Sequence, residues 1–190
     1  YQAELVKGLI LRDFPMMMVE TVIIKTSGDM IRRGGMNPLE TKRVFTREIE
    51  DALIADEIDL AVHSAKDLAV ILPEGLQIGA VLEREDPRDC FVSRHHKKIS
   101  ELPAGAHIGT SSLRRKMQFL RHYSGFKMEE IHGNVDTRIR KVEEGDFDGV
   151  ILAYAGLKRL GLTSHAAEIF SEEHFYPAPG QGIIVVESRI

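Results

Sequence analysis

The hydrophobic pattern of the chain alternates between short apolar runs and longer amphipathic stretches. The short runs, such as residues 19–25 (VETVIIK), are β-branched and apolar, which predicts buried strands. The longer stretches repeat apolar residues every three or four positions, which predicts helices with one buried face. Strands that alternate with helices indicate an α/β fold with mostly parallel sheets, in which ligands bind at the carboxyl ends of the strands.

The predicted elements extend over most of the chain. We expect strands at residues 19–25, 58–62, 75–82, 89–93, 106–109, 128–131, 148–153 and 182–187. We expect helices at residues 41–55, 111–122, 135–143 and 156–160. The side chains expected to face inward in the second and third helices are Leu113, Met117, Leu120, Val135, Ile139 and Val142. Residues 27–40 are rich in Gly, Asn, Pro and charge, which predicts a long loop, and the polar residues 94–103 mark a possible domain boundary.

The composition and charge of the chain narrow the classes of function that it can have. The chain has 190 residues, 43% hydrophobic and 28% charged, within the range of ordinary globular proteins. The net charge is −4 and the sequence pI is about 6.1, which disfavours a nucleic-acid-binding protein with a broad basic face. No apolar stretch reaches the roughly 20 residues that cross a bilayer. The single cysteine, Cys90, excludes an intrachain disulfide and fits a reducing cytosol, and the sparse His and Cys pattern predicts no metal site.

Residues 109–115 (GTSSLRR) join a predicted strand to a predicted helix. The first N–H groups of a helix have no internal partner and attract anions, and hydroxyl and guanidinium groups add donors. The alternative interpretation is that Thr110 or Ser111 is a plain N-cap and that the arginines are solvated. Because two cations in the first turn oppose the helix dipole, at a cost of about 0.3–1 kcal/mol, we interpret this segment as an anion-binding site.

Two more junctions repeat this pattern. Residues 133–138 (GNVDTR) and 155–159 (AGLKR) again place basic residues where a predicted strand passes into a helix. Three such junctions suggest a ligand with several negative charges, although three unrelated surface caps remain the alternative. Asp67, at the end of a predicted buried strand, either caps a turn or stabilises a positive charge that develops on a substrate.

Six motifs together resemble the porphobilinogen deaminase family in their order and spacing. They are residues 63–67 (HSAKD), 83–89 (EREDPRD), 109–115 (GTSSLRR), 133–138 (GNVDTR), 153–162 (AYAGLKRLGL) and 177–182 (PAPGQG). The resemblance covers nearly the whole chain. It implies two domains with mixed, mostly parallel sheets like the halves of type II periplasmic binding proteins. Domain 1 would comprise residues 1–93 and 177–190, with a lid loop at 27–41, and domain 2 would comprise residues 94–176.

The resemblance also implies an activity. Members of the family are transferases of tetrapyrrole and haem biosynthesis that deaminate and join four porphobilinogens into hydroxymethylbilane. Asp67 would be the catalytic carboxylate. The residues that would bind carboxylates of the cofactor or the substrate are Ser64, Lys66, Thr110, Ser112, Arg114, Arg115, Arg138 and Arg159, together with the basic helix residues Lys42 and Arg47. The cofactor would be a dipyrromethane held by a cysteine of a third domain.

The chain departs from the family pattern at several points. The family's first strand would lie before Tyr1 and its cofactor domain after Ile190, so we do not expect Cys90 to be the cofactor cysteine, and we expect residues 1–190 alone to be inactive. His132 stands where an arginine is usual, and Ala69 where a proline is frequent. The resemblance further implies a cytoplasmic monomer that binds porphobilinogen but no nucleic acid or membrane. The alternative function is a non-enzymatic, two-lobed anion-binding protein, since one fold can serve both.

Overall fold

Strands alternate with helices along the computed structural model of the chain, which describes residues 1–26 and 46–190. The helices are α1 (Gln2–Asp13), α2 (Arg47–Ile54), α3 (Leu113–His122), α4 (Val135–Glu144) and α5 (Tyr154–Leu160). The strands are β1 (Leu60–Ser64), β2 (Leu76–Val81), β3 (Asp89–Ser93), β4 (His107–Gly109), β5 (Lys127–Glu129), β6 (Gly149–Ala153), β7 (Ala166–Ile169) and β8 (Ile184–Arg189). Short 3-10 turns occupy Ala65–Asp67, Arg94–His96, Ile99–Glu101 and Thr163–His165. The α/β prediction is confirmed.

The chain divides into two compact units. Unit 1 contains Tyr1–Arg84 and Ile183–Ile190, and unit 2 contains Glu85–Gly182. The sheet of unit 1 has the strand order β1-β8-β2, and both of its pairings are antiparallel. Helices α1 and α2 bury Val6 and Leu53 in two apolar clusters of this unit.

The sheet of unit 2 has the order β5-β4-β6-β3-β7. Strand β4 runs parallel to β5 and β6, whereas β3 runs antiparallel to β6 and β7. Side chains of its central strands alternate between two cores: Phe91 and Ile151 face one, and Val92 and Val150 face the other. Because both faces are covered, β3 and β6 have nearly continuous apolar sequences.

The domain boundaries differ from the prediction. The predicted domain 1 includes Asp89–Ser93, but β3 lies in unit 2 because it pairs with β6 and β7. Residues 177–182, also predicted in domain 1, belong to unit 2 as well. Of the six strand pairings among the described residues, two are parallel. Parallel pairings are therefore not in the majority among the described strands, contrary to the prediction. The reason is that β8 lies between β1 and β2, and β3 between β6 and β7, each running antiparallel to both of its neighbours.

Two further expectations are wrong. Residues 19–25 form no strand, because no described strand pairs with them and a strand needs a ladder partner. Helix α3 does not turn Leu113, Met117 and Leu120 inward: they are 65%, 60% and 41% exposed. The buried residues of this helix are Arg115 and Phe119. In α4, by contrast, Ile139 and Val142 are buried and Val135 packs against their cluster, as predicted.

Candidate functional site

Asp67 lies on a short turn that follows strand β1 in unit 1. The 3-10 turn Ala65–Asp67 continues directly from the strand, and the buried Leu68 anchors its far side. The Ala65 N–H donates to the Ile183 carbonyl at 3.0 Å, which ties the turn to the segment before β8. The Asp67 side chain is exposed and makes no hydrogen bond or ion pair with the described residues. Its carboxylate is therefore available to a ligand.

The residues before Asp67 rest on buried polar contacts. His63 Nε2 lies 3.2 Å from Glu187 Oε2, and both side chains are almost fully buried between β1 and β8. Ser64 Oγ accepts a hydrogen bond from Gln2 Nε2 at 2.9 Å. A hydroxyl that accepts one bond still has its own proton to donate, so Ser64 retains a donor for an anion. Lys66, the other predicted binder here, is half-buried.

The first basic junction of unit 2 joins β4 to α3. Thr110 is buried, its N–H donates to the Glu129 carbonyl at 2.9 Å, and its Oγ1 accepts from the Ser112 N–H at 3.2 Å. Ser112 is the N-cap of α3, and its Oγ accepts from the Arg115 N–H at 3.4 Å. Ser112 therefore caps the helix, not Thr110 or Ser111 as the alternative interpretation expected, and both hydroxyls keep a proton that an anion can accept.

The two arginines of this junction have different surroundings. Arg115 is buried and donates through Nε and Nη2 to Asp89 Oδ1 at 3.0 and 2.8 Å, and through Nη1 to the Ile151 carbonyl at 3.1 Å. Arg114 keeps 25% of its side chain exposed, and its Nη2 lies 2.7 Å from Asp89 Oδ2. Burial lowers the pKa of Arg114 from its usual value while Asp89 acts in the opposite direction, and an arginine stays protonated.

Asp89 and Gln181 are polar residues that the sequence analysis did not single out. Asp89 is fully buried, and its Oδ1 also accepts from Gln181 Nε2 at 2.9 Å. Gln181 donates to the Pro87 carbonyl as well, at 2.6 Å. The signal in the sequence was their place in two of the six motifs, EREDPRD and PAPGQG, to which no role had been given.

The second junction joins the segment after β5 to α4. Asn134 caps the helix by accepting from the Thr137 N–H at 3.0 Å. Gly133 has a φ of +112°, and a Cβ there would lie 2.7 Å from Thr137 Cγ2, so the turn requires glycine. Arg138 Nε donates to the Gly133 carbonyl at 2.8 Å, which holds its guanidinium over the junction. His132, at the usual arginine position, lies 3.5 Å from Glu130.

The third junction joins β6 to α5. Arg159 is half-buried, and its Nη2 donates to the Gly182 carbonyl at 2.6 Å. Lys158 Nζ lies 2.5 Å from Glu85 Oε1, and this hydrogen bond holds the pKa of Glu85 below its usual value. The charge of Lys158 is thus balanced by Glu85 within the protein.

The strand order brings the three junctions to one edge of the unit 2 sheet. Strand β4 lies between β5 and β6 and runs parallel to both, so their carboxyl ends meet at the same edge. The predicted binders that gather there are Thr110, Ser112, Arg114, Arg115, Arg138 and Arg159. Guanidinium and hydroxyl donors suit carboxylates, and Arg can bind them through two hydrogen bonds. The donor set therefore fits a polycarboxylate ligand.

The other predicted binders lie elsewhere. Ser64 and Lys66 belong to unit 1 with Asp67. Arg47 begins helix α2, is largely exposed, and lies 3.8 Å from Asp51 one turn along. Lys42 and the predicted lid loop at 27–41 lie outside the described residues. Within residues 1–26 and 46–190, no cluster of metal-ligating side chains occurs, and no helix is long and apolar enough to cross a membrane.

Comparison with known sequences assigns the family. The family model described as "Porphobilinogen deaminase, dipyromethane cofactor binding domain" matches residues 1–190. The chain belongs to the porphobilinogen deaminase family. It is 46% identical over 189 residues to the porphobilinogen deaminase of Nitratidesulfovibrio vulgaris, covering 100% of this chain and 60% of that protein. It is 47% identical over 190 residues to the porphobilinogen deaminase of Pelobacter propionicus, covering 100% and 61%. The chain thus spans about three fifths of the length of these porphobilinogen deaminases.

Solved structures support the predicted fold. A periplasmic substrate-binding protein of an ABC transporter from Coxiella burnetii matches 98% of this chain and 78% of its own, with a TM-score of 0.56 and 13% identity. The periplasmic aliphatic sulphonate-binding protein of Escherichia coli matches 98% and 56%, with a TM-score of 0.51 and 12% identity. The predicted likeness to periplasmic binding proteins is confirmed at the level of the fold.

Proposed function

We propose that the complete protein containing this chain is a hydroxymethylbilane synthase, which deaminates four porphobilinogens and joins them head to tail into a linear tetrapyrrole. The observation that carries the proposal is the match to the porphobilinogen deaminase family over all 190 residues, at 46–47% identity to two of its members. The side chains add an independent argument, because one sequence contains both an exposed carboxylate in unit 1 and a polycarboxylate-binding edge in unit 2.

The basic edge of unit 2 suits the proposed ligands. Each pyrrole of the growing chain carries an acetate and a propionate, so negative charge accumulates as pyrroles are added. Arg114, Arg138 and Arg159 each stand at a different junction of that edge. Separate guanidinium groups can hold separate carboxylates, each through two charge-assisted hydrogen bonds. This spacing favours an extended polyacid over a single small anion.

The same donors fit a dipyrromethane cofactor, whose carboxylates have the same chemistry. Arg114, Arg138 and Arg159, with the hydroxyls of Thr110 and Ser112, would hold it. When bound, the cofactor supplies the pyrrole ring from which the chain grows. Cys90 does not suit the role of attachment residue, since it is fully buried and burial raises the pKa of its thiol to about 12.

Asp67 is the proposed catalytic residue. Loss of ammonia from the aminomethyl group of porphobilinogen breaks a C–N bond and leaves a positive charge shared with the pyrrole ring. A carboxylate placed beside that ring lowers the free energy of the cation, and charge stabilisation of this kind often contributes more to catalysis than any other effect. Asp67 is exposed, and none of its charge is neutralised by a described neighbour. Ser64 and Lys66, on the same turn, would orient the substrate's carboxylates.

Turnover of porphobilinogen by the complete protein tests the proposal. We expect hydroxymethylbilane to form, and we expect Asp67→Ala to abolish its formation while the affinity for carboxylates stays nearly unchanged. Glu74→Ala is the matched control, since Glu74 is an exposed carboxylate of the same unit outside the site. If the native protein bound carboxylates but consumed no porphobilinogen, the alternative of a non-enzymatic anion-binding protein would replace this proposal.

The finer properties are part of the same proposal. We expect the complete protein to be a cytoplasmic monomer that binds neither nucleic acid nor membranes. We also expect residues 1–190 alone to form no hydroxymethylbilane, because they span only about three fifths of the length of the porphobilinogen deaminases that they match. Sedimentation of the complete protein tests the monomer, and product formation by the 190-residue chain would contradict the second expectation.

A further inference from the structure

Two of the sequence motifs meet at a single buried carboxylate. Asp89 is the last residue of the EREDPRD motif and begins strand β3, and Gln181 belongs to the PAPGQG motif. Gln181 Nε2 donates to Asp89 Oδ1 at 2.9 Å, and the Asp89 side chain is fully buried. Both residues are buried, so direct contact with a ligand explains neither of them.

Asp89 contacts both arginines of the first junction, through hydrogen bonds from Arg115 and an ion pair with Arg114. Arg115 donates through Nε and Nη2 to Asp89, through Nη1 to the Ile151 carbonyl, and more weakly through Nη2 to Gln181 Oε1 at 3.5 Å. Four of its five N–H groups therefore point into the protein. Arg115 is 6% exposed, which leaves it little surface for a ligand.

Arg114 retains the capacity to bind a ligand. Its Nη2 forms an ion pair with Asp89 Oδ2 at 2.7 Å, and its Nη1 donates a hydrogen bond to the Tyr176 carbonyl. These two contacts restrain the guanidinium and leave other N–H groups unassigned, on a side chain that is 25% exposed. Two arginines and one aspartate sum to one positive charge, and Arg114 is the group that can present it.

We propose that Asp89 is a positioning residue for anion binding, and that it acts through Arg114, while Arg115 and Gln181 hold Asp89 in place. The inference deepens the proposed function, on which it rests for the nature of the ligand. It divides the adjacent arginines into one that binds carboxylates and one that supports the site from within. It also assigns a role to the two motifs, because Pro87 and Gln181 close the same hydrogen-bond network.

The direction in which Asp89→Asn changes the affinity for a polycarboxylate distinguishes a positioning role from a simple effect of charge. Asp89→Asn removes a negative charge beside the anion site, and charge alone would tighten the binding of a polycarboxylate. A purely structural role would lower the melting temperature without changing the affinity of the folded molecules. Loss of positioning would weaken binding, because the Arg114 guanidinium would no longer be held in one plane.

The experiment measures the affinity of the 190-residue chain for butane-1,2,3,4-tetracarboxylate by calorimetry, well below the melting temperature. We expect Asp89→Asn to weaken binding by about tenfold, a typical loss for one charge-assisted hydrogen bond. In an Arg114→Gln background the same substitution should change the affinity less than twofold, because the two residues act as one unit. Glu144→Gln is the matched control: it also removes a carboxylate that faces an arginine, Arg140 at 3.8 Å, and it should leave the affinity unchanged.

Each result decides the proposal. Unchanged or tighter binding of the probe by Asp89→Asn would overturn the proposal. So would an equal loss of affinity from this substitution in the native and Arg114→Gln backgrounds, and so would a native chain that does not bind the probe. If Asp89→Asn does not fold, Gln181→Met takes its place and should weaken binding about threefold, less than the loss of a full hydrogen bond to a charged group. A failure of the proposed function looks different from a failure of this inference. In that case the complete protein does not consume porphobilinogen, although the coupling between Asp89 and Arg114 is observed.

Discussion

Gly149 stands at the start of strand β6, where a single added methyl group would disturb the centre of unit 2. A Cβ at this position would overlap Phe91 Cζ and would lie 2.6 Å from Phe91 Cε2. Phe91 is fully buried and stacks on Phe119, with ring centroids 6.4 Å apart. The ring cannot turn into solvent, so Gly149→Ala forces the aromatic core of unit 2 to shift.

The expected cost follows from two opposing effects. Replacing glycine by alanine restricts the unfolded chain and by itself stabilises a protein by about 0.4–1 kcal/mol. Overpacking a close-packed core costs about 1–3 kcal/mol, and the backbone oxygen of Val92 at 3.1 Å blocks relief on another side. The overpacking prevails, and we expect Gly149→Ala to lower the free energy of unfolding by about 1–2 kcal/mol.

Urea denaturation followed by circular dichroism measures this difference. With a slope of about 2 kcal/mol per M, the transition of unit 2 should move down by roughly 0.5–1 M. Gly156→Ala is the matched control, because its Cβ would meet Val135 at an ordinary 3.4 Å within helix α5, and it should stabilise the same unit by about 0.5–1 kcal/mol. A Gly149→Ala midpoint equal to or above that of the native chain would refute the reasoning.

Three further predictions concern the packing and electrostatics of unit 2. Phe119→Ala should lower the free energy of unfolding, measured by urea denaturation, by about 3–5 kcal/mol, whereas Met117→Ala on the exposed face of α3 should change it by no more than about 0.5 kcal/mol. Similar losses for the two variants would contradict the assignment of Phe119 to the buried face and Met117 to the exposed one. Cys90 should not react with a thiol reagent in the native chain and should react on unfolding, because burial raises the pKa of its thiol to about 12; rapid native labelling would contradict this. Lys158→Met should raise the pKa of Glu85, measured by NMR, toward its usual value. The pKa of Glu85 is lower in the folded chain than in the unfolded chain. The Lys158 contact therefore stabilises the native chain fully at a pH above the unfolded pKa of Glu85, and this stabilisation is lost as the pH falls through the folded pKa. An unchanged Glu85 pKa in Lys158→Met would show that the contact has no such effect.

The sequence was informative wherever a local pattern determined the structure. The junctions of strands with helices depend on a few consecutive residues, and the structure has them near the predicted positions. The first N-cap is Ser112, next to the predicted Thr110 or Ser111. The pattern of α4 succeeded because Ile139 and Val142 form a single apolar stripe. Parallel pairing of β4 with β5 and β6 then brings the three basic junctions to one edge, as the α/β pattern predicted.

Prediction failed where distant residues decide the outcome. Helix α3 buries Arg115 because Asp89, 26 positions earlier, supplies a buried partner, and apolar periodicity carries no information about such a pair. Strand β8 inserts between β1 and β2 from the far end of the chain, so local alternation could not give its direction. Helix α1 was not predicted at all, because its apolar residues lie on several faces and Gly8 interrupts them.

Asp67 is proposed to be the carboxylate that stabilises the substrate cation. The release of ammonia from porphobilinogen in the first turnover measures that step directly. In the complete protein, Asp67→Asn removes the charge and keeps the shape of the side chain. We expect ammonia release to slow by about 10²–10³-fold, the usual loss when one stabilising group of a transition state is removed, while the affinity for butane-1,2,3,4-tetracarboxylate stays within about twofold of the native value. Ammonia release by Asp67→Asn at the native rate would contradict the central claim.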